Sequence, residues 1–105
     1  MKKRIEDFTV TENRRLADKF YVIKLSSPAP LPEILPGQFA EVLVTDSPGT
    51  FLRRPLSVHD VDYPENTISL LIQVAGKGTE HLSGLQPGEK LNLIYPPVSS
   101  TFSPF

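Results

Sequence analysis

Apolar residues return at every second position in six short stretches of the chain, and that spacing predicts β-strands with one walled-in face. The first covers about Asp7–Asn13, with Phe8 and Val10 in phase. The second is Phe20–Ser26, where Tyr21, Ile23 and Leu25 alternate with Phe20, Val22 and Lys24. Gln38–Val44 places Ala40, Val42 and Val44 on one side. Leu56–Asp60 is the fourth stretch. Thr67–Ala75 is the clearest, with Ile68, Leu70, Ile72 and Val74 opposing Thr67, Ser69, Leu71 and Gln73. Lys90–Tyr95 is the sixth, with Leu91, Leu93 and Tyr95 in phase. A single helix is predicted, Thr79–Leu85, with Thr79 as its N-cap and Gly84 as its stop. It is too short to stand alone in water and must dock on the strands.

Pro and Gly punctuate the intervals, at Pro28, Pro30, Pro32, Pro36-Gly37, Pro48-Gly49, Pro64 and Pro87-Gly88. Pro pre-sets φ and Gly accepts φ > 0, so these dipeptides mark turns. No long helix alternates with the strands, which excludes a parallel α/β sheet. The pattern therefore predicts an all-β fold, a six-stranded antiparallel Greek-key barrel with one short capping helix, because closure removes exposed edges. The barrel is expected to occupy residues 1–96. Residues 97–105, rich in Ser, Pro and Phe, read as a C-terminal tail.

Composition narrows the chemistry. The 105 residues carry 11 Lys and Arg against 12 Asp and Glu, a formal net charge of −1. That balance gives no general attraction to nucleic acid or to an acidic membrane, and the basic positions lack interleaved aromatics. The chain has no Cys, so it offers no disulfide, no thiolate metal site and no Cys-ligated iron–sulfur cluster. No apolar run approaches the ~20 residues that cross a bilayer. Met1-Lys2-Lys3-Arg4 is followed by Glu6 and Asp7 rather than by an apolar stretch, so a cytoplasmic location is expected.

Three segments carry residue types suited to a ligand. In Arg53-Arg54-Pro55-Leu56-Ser57, Arg54 and Ser57 lie about 10 Å apart along an extended strand. A guanidinium fork suits phosphate oxygens, and a hydroxyl suits a ring nitrogen. The plain alternative is a solvated pair of arginines beside a turn. In Ala75-Gly76-Lys77-Gly78-Thr79, two Gly end the longest strand where the helix begins, so backbone N–H groups can approach an anion. A hairpin turn explains the same residues, and no Walker pattern is present. In Leu71-Ile72-Gln73, Leu71 and Gln73 point away from the core and can line a shelf, or form ordinary strand surface. His59 and His81 lack metal spacing and triad partners and are expected to be structural or solvent-facing.

Taken in order, Leu35-Pro36-Gly37-Gln38-Phe39, Arg53-Arg54-Pro55-Leu56-Ser57, Val74-Ala75-Gly76-Lys77-Gly78-Thr79 and Leu85-Gln86-Pro87-Gly88-Glu89-Lys90-Leu91 resemble the flavin-binding barrel of the ferredoxin reductase superfamily. Within it, the Arg-Arg-Pro-Leu-Ser form is most similar to electron-transfer subunits of dihydroorotate dehydrogenase. The resemblance covers about residues 5–96. It implies FAD as cofactor, with Arg54 on the pyrophosphate, Ser57 near the reactive flavin nitrogen, and Pro55 and Leu56 shaping the flavin's edge. It further implies Leu71, Ile72 and Gln73 along the cofactor, and backbone N–H groups of Gly78 and Thr79 on phosphate. The implied chemistry is electron passage between NAD and a catalytic dihydroorotate dehydrogenase subunit through an iron–sulfur cluster. Two departures qualify it. Pro97-Val98-Ser99-Ser100 stands where such barrels continue into a Gly-containing turn, and no Gly-rich dinucleotide fingerprint or cluster cysteine occurs. The expectation is a shortened flavin domain, incompetent for turnover alone and with reduced FAD affinity. Its uncovered face and a tail with Phe102 and Phe105 are expected to favour a homodimer. The rival reading is a non-catalytic β-barrel adaptor that binds a protein partner.

Overall fold

The computed structural model describes residues 4–34, 38–47 and 50–95. Pro36-Gly37, Pro48-Gly49 and the tail with Phe102 and Phe105, which was expected to favour self-association, lie outside the described residues. The elements are β1 (Arg4–Ala17), β2 (Phe20–Ser26), β3 (Phe39–Ser47), β4 (Thr50–Asp62), β5 (Thr67–Gln73), α1 (Lys77–Ser83) and β6 (Lys90–Tyr95). The strands close into an antiparallel barrel in the order β1-β2-β5-β4-β3-β6. The links β2→β3 and β5→β6 leave the meander order, which is the Greek-key crossing the pattern predicts.

β2 and β6 begin and end where alternation places them. β1 is longer than the expected Asp7–Asn13 because it serves two partners. Arg4–Thr9 pairs with β6, and Thr9–Ala17 pairs with β2. β4 is longer than Leu56–Asp60 because its first half pairs with β3 straight through Pro55. β3 runs to Ser47 rather than Val44 along the same ladder. β5 stops at Gln73, two residues early, and leaves Val74 outside it. The helix starts at Lys77 rather than Thr79. Gly76 is its N-cap and Thr79 is the third helical residue, while Gly84 ends it as expected.

The core is the inward set of the alternation. Phe8, Ile23, Leu25, Ala40, Val42, Ile68, Leu70, Ile72 and Leu93 are fully enclosed, and Leu82 and Leu85 close one end from the helix side. Phe8 meets Tyr95 edge-to-face at 5.7 Å, and the Tyr95 hydroxyl donates to Glu6 Oε1 at 2.6 Å. Each enclosed aliphatic side chain contributes roughly 1.5–3 kcal/mol of burial.

Among the described residues, four register shifts interrupt the ladders, at Val10/Glu12, Arg15/Ala17, Thr45/Ser47 and Val58/Asp60, and two of them fall inside the core-facing alternation. The β1–β2 register skips between Val10 and Glu12, so Thr11 is the extra residue. Val10 pairs with buried Leu25, and Asn13 then pairs with buried Ile23. Alternation alone would send Asn13 outward; the bulge turns it inward. A second skip between Val58 and Asp60 does the same to β4 around His59.

The β3–β6 ladder is the thinnest of the barrel, with Glu41 opposite Ile94 and Val42 opposite Leu93. Side chains reinforce it. Arg53 donates from Nη1 to the carbonyls of Glu41 and Asn92, both at 3.3 Å, and from Nη2 to Asn92 Oδ1 at 2.5 Å. Asn92 Nδ2 donates onward to Asp7 Oδ1 at 2.8 Å. The chain Arg53–Asn92–Asp7 thus spans β4, β3, β6 and β1. On the other side of the molecule, the Pro-rich crossover after β2 is pinned by the β4–β5 turn. Tyr63 Oη contacts both backbone groups of Ile34, and Asn66 bonds Leu31, Ser27 and Ala29.

Candidate functional site

The site begins with an unpaired edge. β5 pairs with β4 only from Ser57 onward, opposite Leu71, and its last residues, Ile72 and Gln73, keep β2 alone as a partner. The earlier half of β4 keeps β3 on one side and has no strand on the other. Pro55, which has no N–H to offer, sits on this open edge, as a strand proline should. A cavity of about 450 Å³ fills the gap between the β4 edge, the end of β5 and the start of α1.

The cavity gathers eight of the nine residues singled out from the sequence. Arg54, Pro55, Leu56 and Ser57 line the β4 wall, Leu71 and Gln73 the β5 wall, and Gly78 and Thr79 the helix wall. Arg54 and Ser57 are three residues apart and leave β4 on opposite faces. Arg54 stands opposite enclosed Val42, and Ser57 opposite exposed Phe39. Both reach the same groove because it runs along the free edge rather than over one face.

Ile72 is the exception. It shares the inward phase of Ile68 and Leu70 and is 0% exposed, so its side chain belongs to the core and not to the cavity lining. Strand alternation requires this once Leu71 and Gln73 face the cavity.

The helix wall is held by two contacts. A Cβ at Gly78 would lie 3.0 Å from Val44 Cγ2, so any larger residue there would have to displace that side chain by a few tenths of an ångström. Thr79 Oγ1 accepts the N–H groups of Ala75 at 2.8 Å and Gly76 at 3.2 Å, and donates to the Gly76 carbonyl. The hydroxyl is therefore committed to the loop. What Gly78 and Thr79 can offer a ligand is backbone N–H, since the first turn of a helix has no internal acceptors for them. The far end of α1 is held by Asn13, whose Nδ2 donates to the carbonyls of Leu82, Ser83 and Leu85 at 3.0–3.1 Å.

Electrostatically the cavity is one-sided. Among the described residues no Asp or Glu lines it, while Arg54 and Lys77 do. Neither makes a hydrogen bond or ion pair with another described residue, in contrast to Arg53. Phe20, Ala75, Gly76 and Lys77 also line the cavity and were not among the expected site residues. Phe20 gets there by pairing with Gln73. Its signal was an aromatic in the outward phase of β2. His59 and His81 are both exposed, and neither lines this cavity.

No protein-family model matches the chain. Curated proteins do. The chain is 37% identical over 81 residues to the dihydroorotate dehydrogenase B (NAD(+)) electron transfer subunit of Desulforamulus reducens, covering 77% of this chain and 31% of that protein. It is 30% identical over 93 residues to the subunit of the same name from Fusobacterium nucleatum, covering 89% and 36%. By sequence, the barrel is a relative of the dihydroorotate dehydrogenase B electron transfer subunits. The chain spans about a third of the length of the curated relatives it matches.

Solved structures agree on the fold. A ferredoxin reductase in carbazole 1,9a-dioxygenase superposes with a TM-score of 0.77 at 24% identity, over 98% of this chain and 32% of that one. A ferredoxin NADP+ reductase from Neisseria gonorrhoeae, solved with bound FAD and NADP, superposes with a TM-score of 0.67 at 18% identity, over 88% and 37%. The barrel thus shares its fold with the barrels of these two reductases. No helix among the described residues is long and apolar enough to cross a membrane.

Proposed function

We propose that this barrel is an FAD-binding redox module of an electron transfer subunit, serving electron passage between NAD and a catalytic dihydroorotate dehydrogenase subunit in the cytoplasm. The observation that carries the reading is the cavity: eight expected residues meet around the open edge of β4, with two cations unengaged and no carboxylate among the described residues that line it. Those groups fit the cofactor. An anionic pyrophosphate matches the guanidinium of Arg54 and the free N–H groups of Gly78 and Thr79. A heteroaromatic ring matches the apolar surfaces of Pro55, Leu56 and Leu71, with the Ser57 hydroxyl as its hydrogen-bonding group.

FAD, when bound, supplies both two-electron and one-electron transfer. The chain's own part is to bind and orient. Arg54 offsets charge, Ser57 offers a hydrogen bond at the ring, and the barrel excludes water from one side. The NAD and iron–sulfur sites of this reading lie outside the barrel, and the chain has no cysteine with which to hold a cluster. The barrel by itself is therefore not proposed to complete a turnover.

The test is a visible absorption spectrum of the purified protein, followed by a thermal melt with and without added FAD. A flavin spectrum, or stabilisation of about 2.7 kcal/mol at a hundredfold excess over Kd, supports the reading. A folded protein that stays colourless and does not respond to FAD overturns it. In that event the exposed Ile5 and Phe39, 62% and 59% accessible on the outer wall, become the surface an adaptor would use.

A further inference from the structure

A second cation lines the cavity beside Arg54. Lys77 is exposed on the helix wall, whereas Arg54 is on the β4 wall. The whole chain carries a formal net charge of −1, yet the described residues that line this cavity include two cations and no carboxylate. A cavity built that way concentrates anions against the overall balance of the molecule.

The backbone of Lys77 is fixed on both sides. On one side, Gly78 is buried, and a Cβ there would stand 3.0 Å from Val44 Cγ2. On the other, the Thr79 hydroxyl ties down the N–H groups of Ala75 and Gly76. Only the four-carbon stem of the lysine is free to reach inward. The two cations also differ in kind. A guanidinium fork takes two oxygens of one phosphoryl group, while an ammonium is a compact point charge that can take an oxygen of a second. Two such groups on separate walls suit a bridged diphosphate, in which each phosphoryl carries its own charge.

We infer that Lys77 is the second anchor of a dinucleotide's diphosphate, closing on it from the helix wall as Arg54 does from the β4 wall. The inference rests on the flavin reading above, which supplies the diphosphate. It also has a consequence independent of the flavin, because a diphosphate clamp holds ADP as well.

The experiment titrates the wild type, Lys77→Met and Lys77→Arg with FAD, riboflavin and ADP, at low and moderate ionic strength. Losing one charge-assisted contact lowers affinity for FAD and for ADP by about tenfold in Lys77→Met. Riboflavin, which has no phosphate, binds the wild type and Lys77→Met equally, and this also shows that the variant is folded. Lys77→Arg keeps FAD affinity to within about threefold, since the charge remains. The affinity of Lys77→Met for FAD falls less steeply with added salt. Undiminished FAD binding by Lys77→Met overturns the inference and leaves the flavin reading intact, and so does an equal loss for FAD and riboflavin. Binding of ADP without FAD overturns the flavin reading and leaves the clamp. A wild type that binds none of the three overturns both.

Discussion

Arg53 and Arg54 are neighbours on β4 that leave the strand on opposite faces, and only Arg53 is used by the barrel. Arg53 is partly buried against Asn92 and the Glu41 carbonyl, across the thin β3–β6 seam. Arg54, exposed beside the cavity, contacts no other described residue through hydrogen bonds or ion pairs. The pair therefore divides into one structural cation and one available to a ligand.

Alanine at each position separates those roles. Arg53→Ala strands three acceptors and should cost about 1–3 kcal/mol of folding stability. Arg54→Ala should leave stability within about 0.5 kcal/mol, because no contact is lost. It should weaken FAD about tenfold or more through the lost charge-assisted bonds. Thermal melts and flavin titrations of both variants check this, and equal effects of the two on FAD would contradict the division.

Asn13 fastens the end of α1 by donating to three carbonyls. Asn13→Ala should cost about 1–2 kcal/mol and loosen the helix. Asn13→Asp should be worse, because a carboxylate would face the same carbonyl oxygens with no proton to give. Denaturant unfolding of the two variants gives the order, and hydrogen exchange at Leu82 and Leu85 shows whether the helix is the part released.

Gly78 and Val44 form a coupled pair. Alanine at a helical position is ordinarily favoured over glycine by up to about 1 kcal/mol. Here Gly78→Ala should destabilise, since its Cβ would stand 3.0 Å from Val44 Cγ2 in a stiff, enclosed side chain. In a Val44→Ala background the same change should turn stabilising. A double-mutant cycle showing no change of sign would dismiss the close packing as the reason for this glycine.

Thr79→Val removes a hydroxyl while keeping its shape. The Ala75 and Gly76 N–H groups then lose their acceptor, at a cost of about 0.5–1 kcal/mol at this exposed position. FAD affinity should fall together with stability, because the helix wall loses its anchor. Thr79→Ser should restore both in calorimetry, as it returns the oxygen.

Much of the barrel was legible from residue order because strand burial is a local signal. Ala40, Val42 and Val44, or Leu91, Leu93 and Tyr95, each declare an inward face within five residues. The ends of β1, β3, β4 and β5 were less legible, since a strand runs as far as a partner accompanies it. Glu12–Arg15 has no apolar alternation and is strand only because β2 lies alongside. The candidate site was legible in its motif residues, yet Phe20 was passed over, and Lys77 was quoted within its segment without a role for its side chain. Nothing near them in sequence says that β2 and the start of α1 border the open edge of β4.

The order of residues alone determined which side chains the barrel encloses and where its turns fall, because alternation and the φ preferences of Pro and Gly act over a few residues. Tertiary structure decided the rest. A single extra residue at Thr11 reversed the phase of β1 and turned Asn13 inward to the helix, and the stop of the β4–β5 ladder at Ser57 and Leu71 opened the edge that brings Arg54 and Ser57 to one cavity. Both depend on register between distant strands, which is set by the packing of the closed barrel and not by any local stretch of chain.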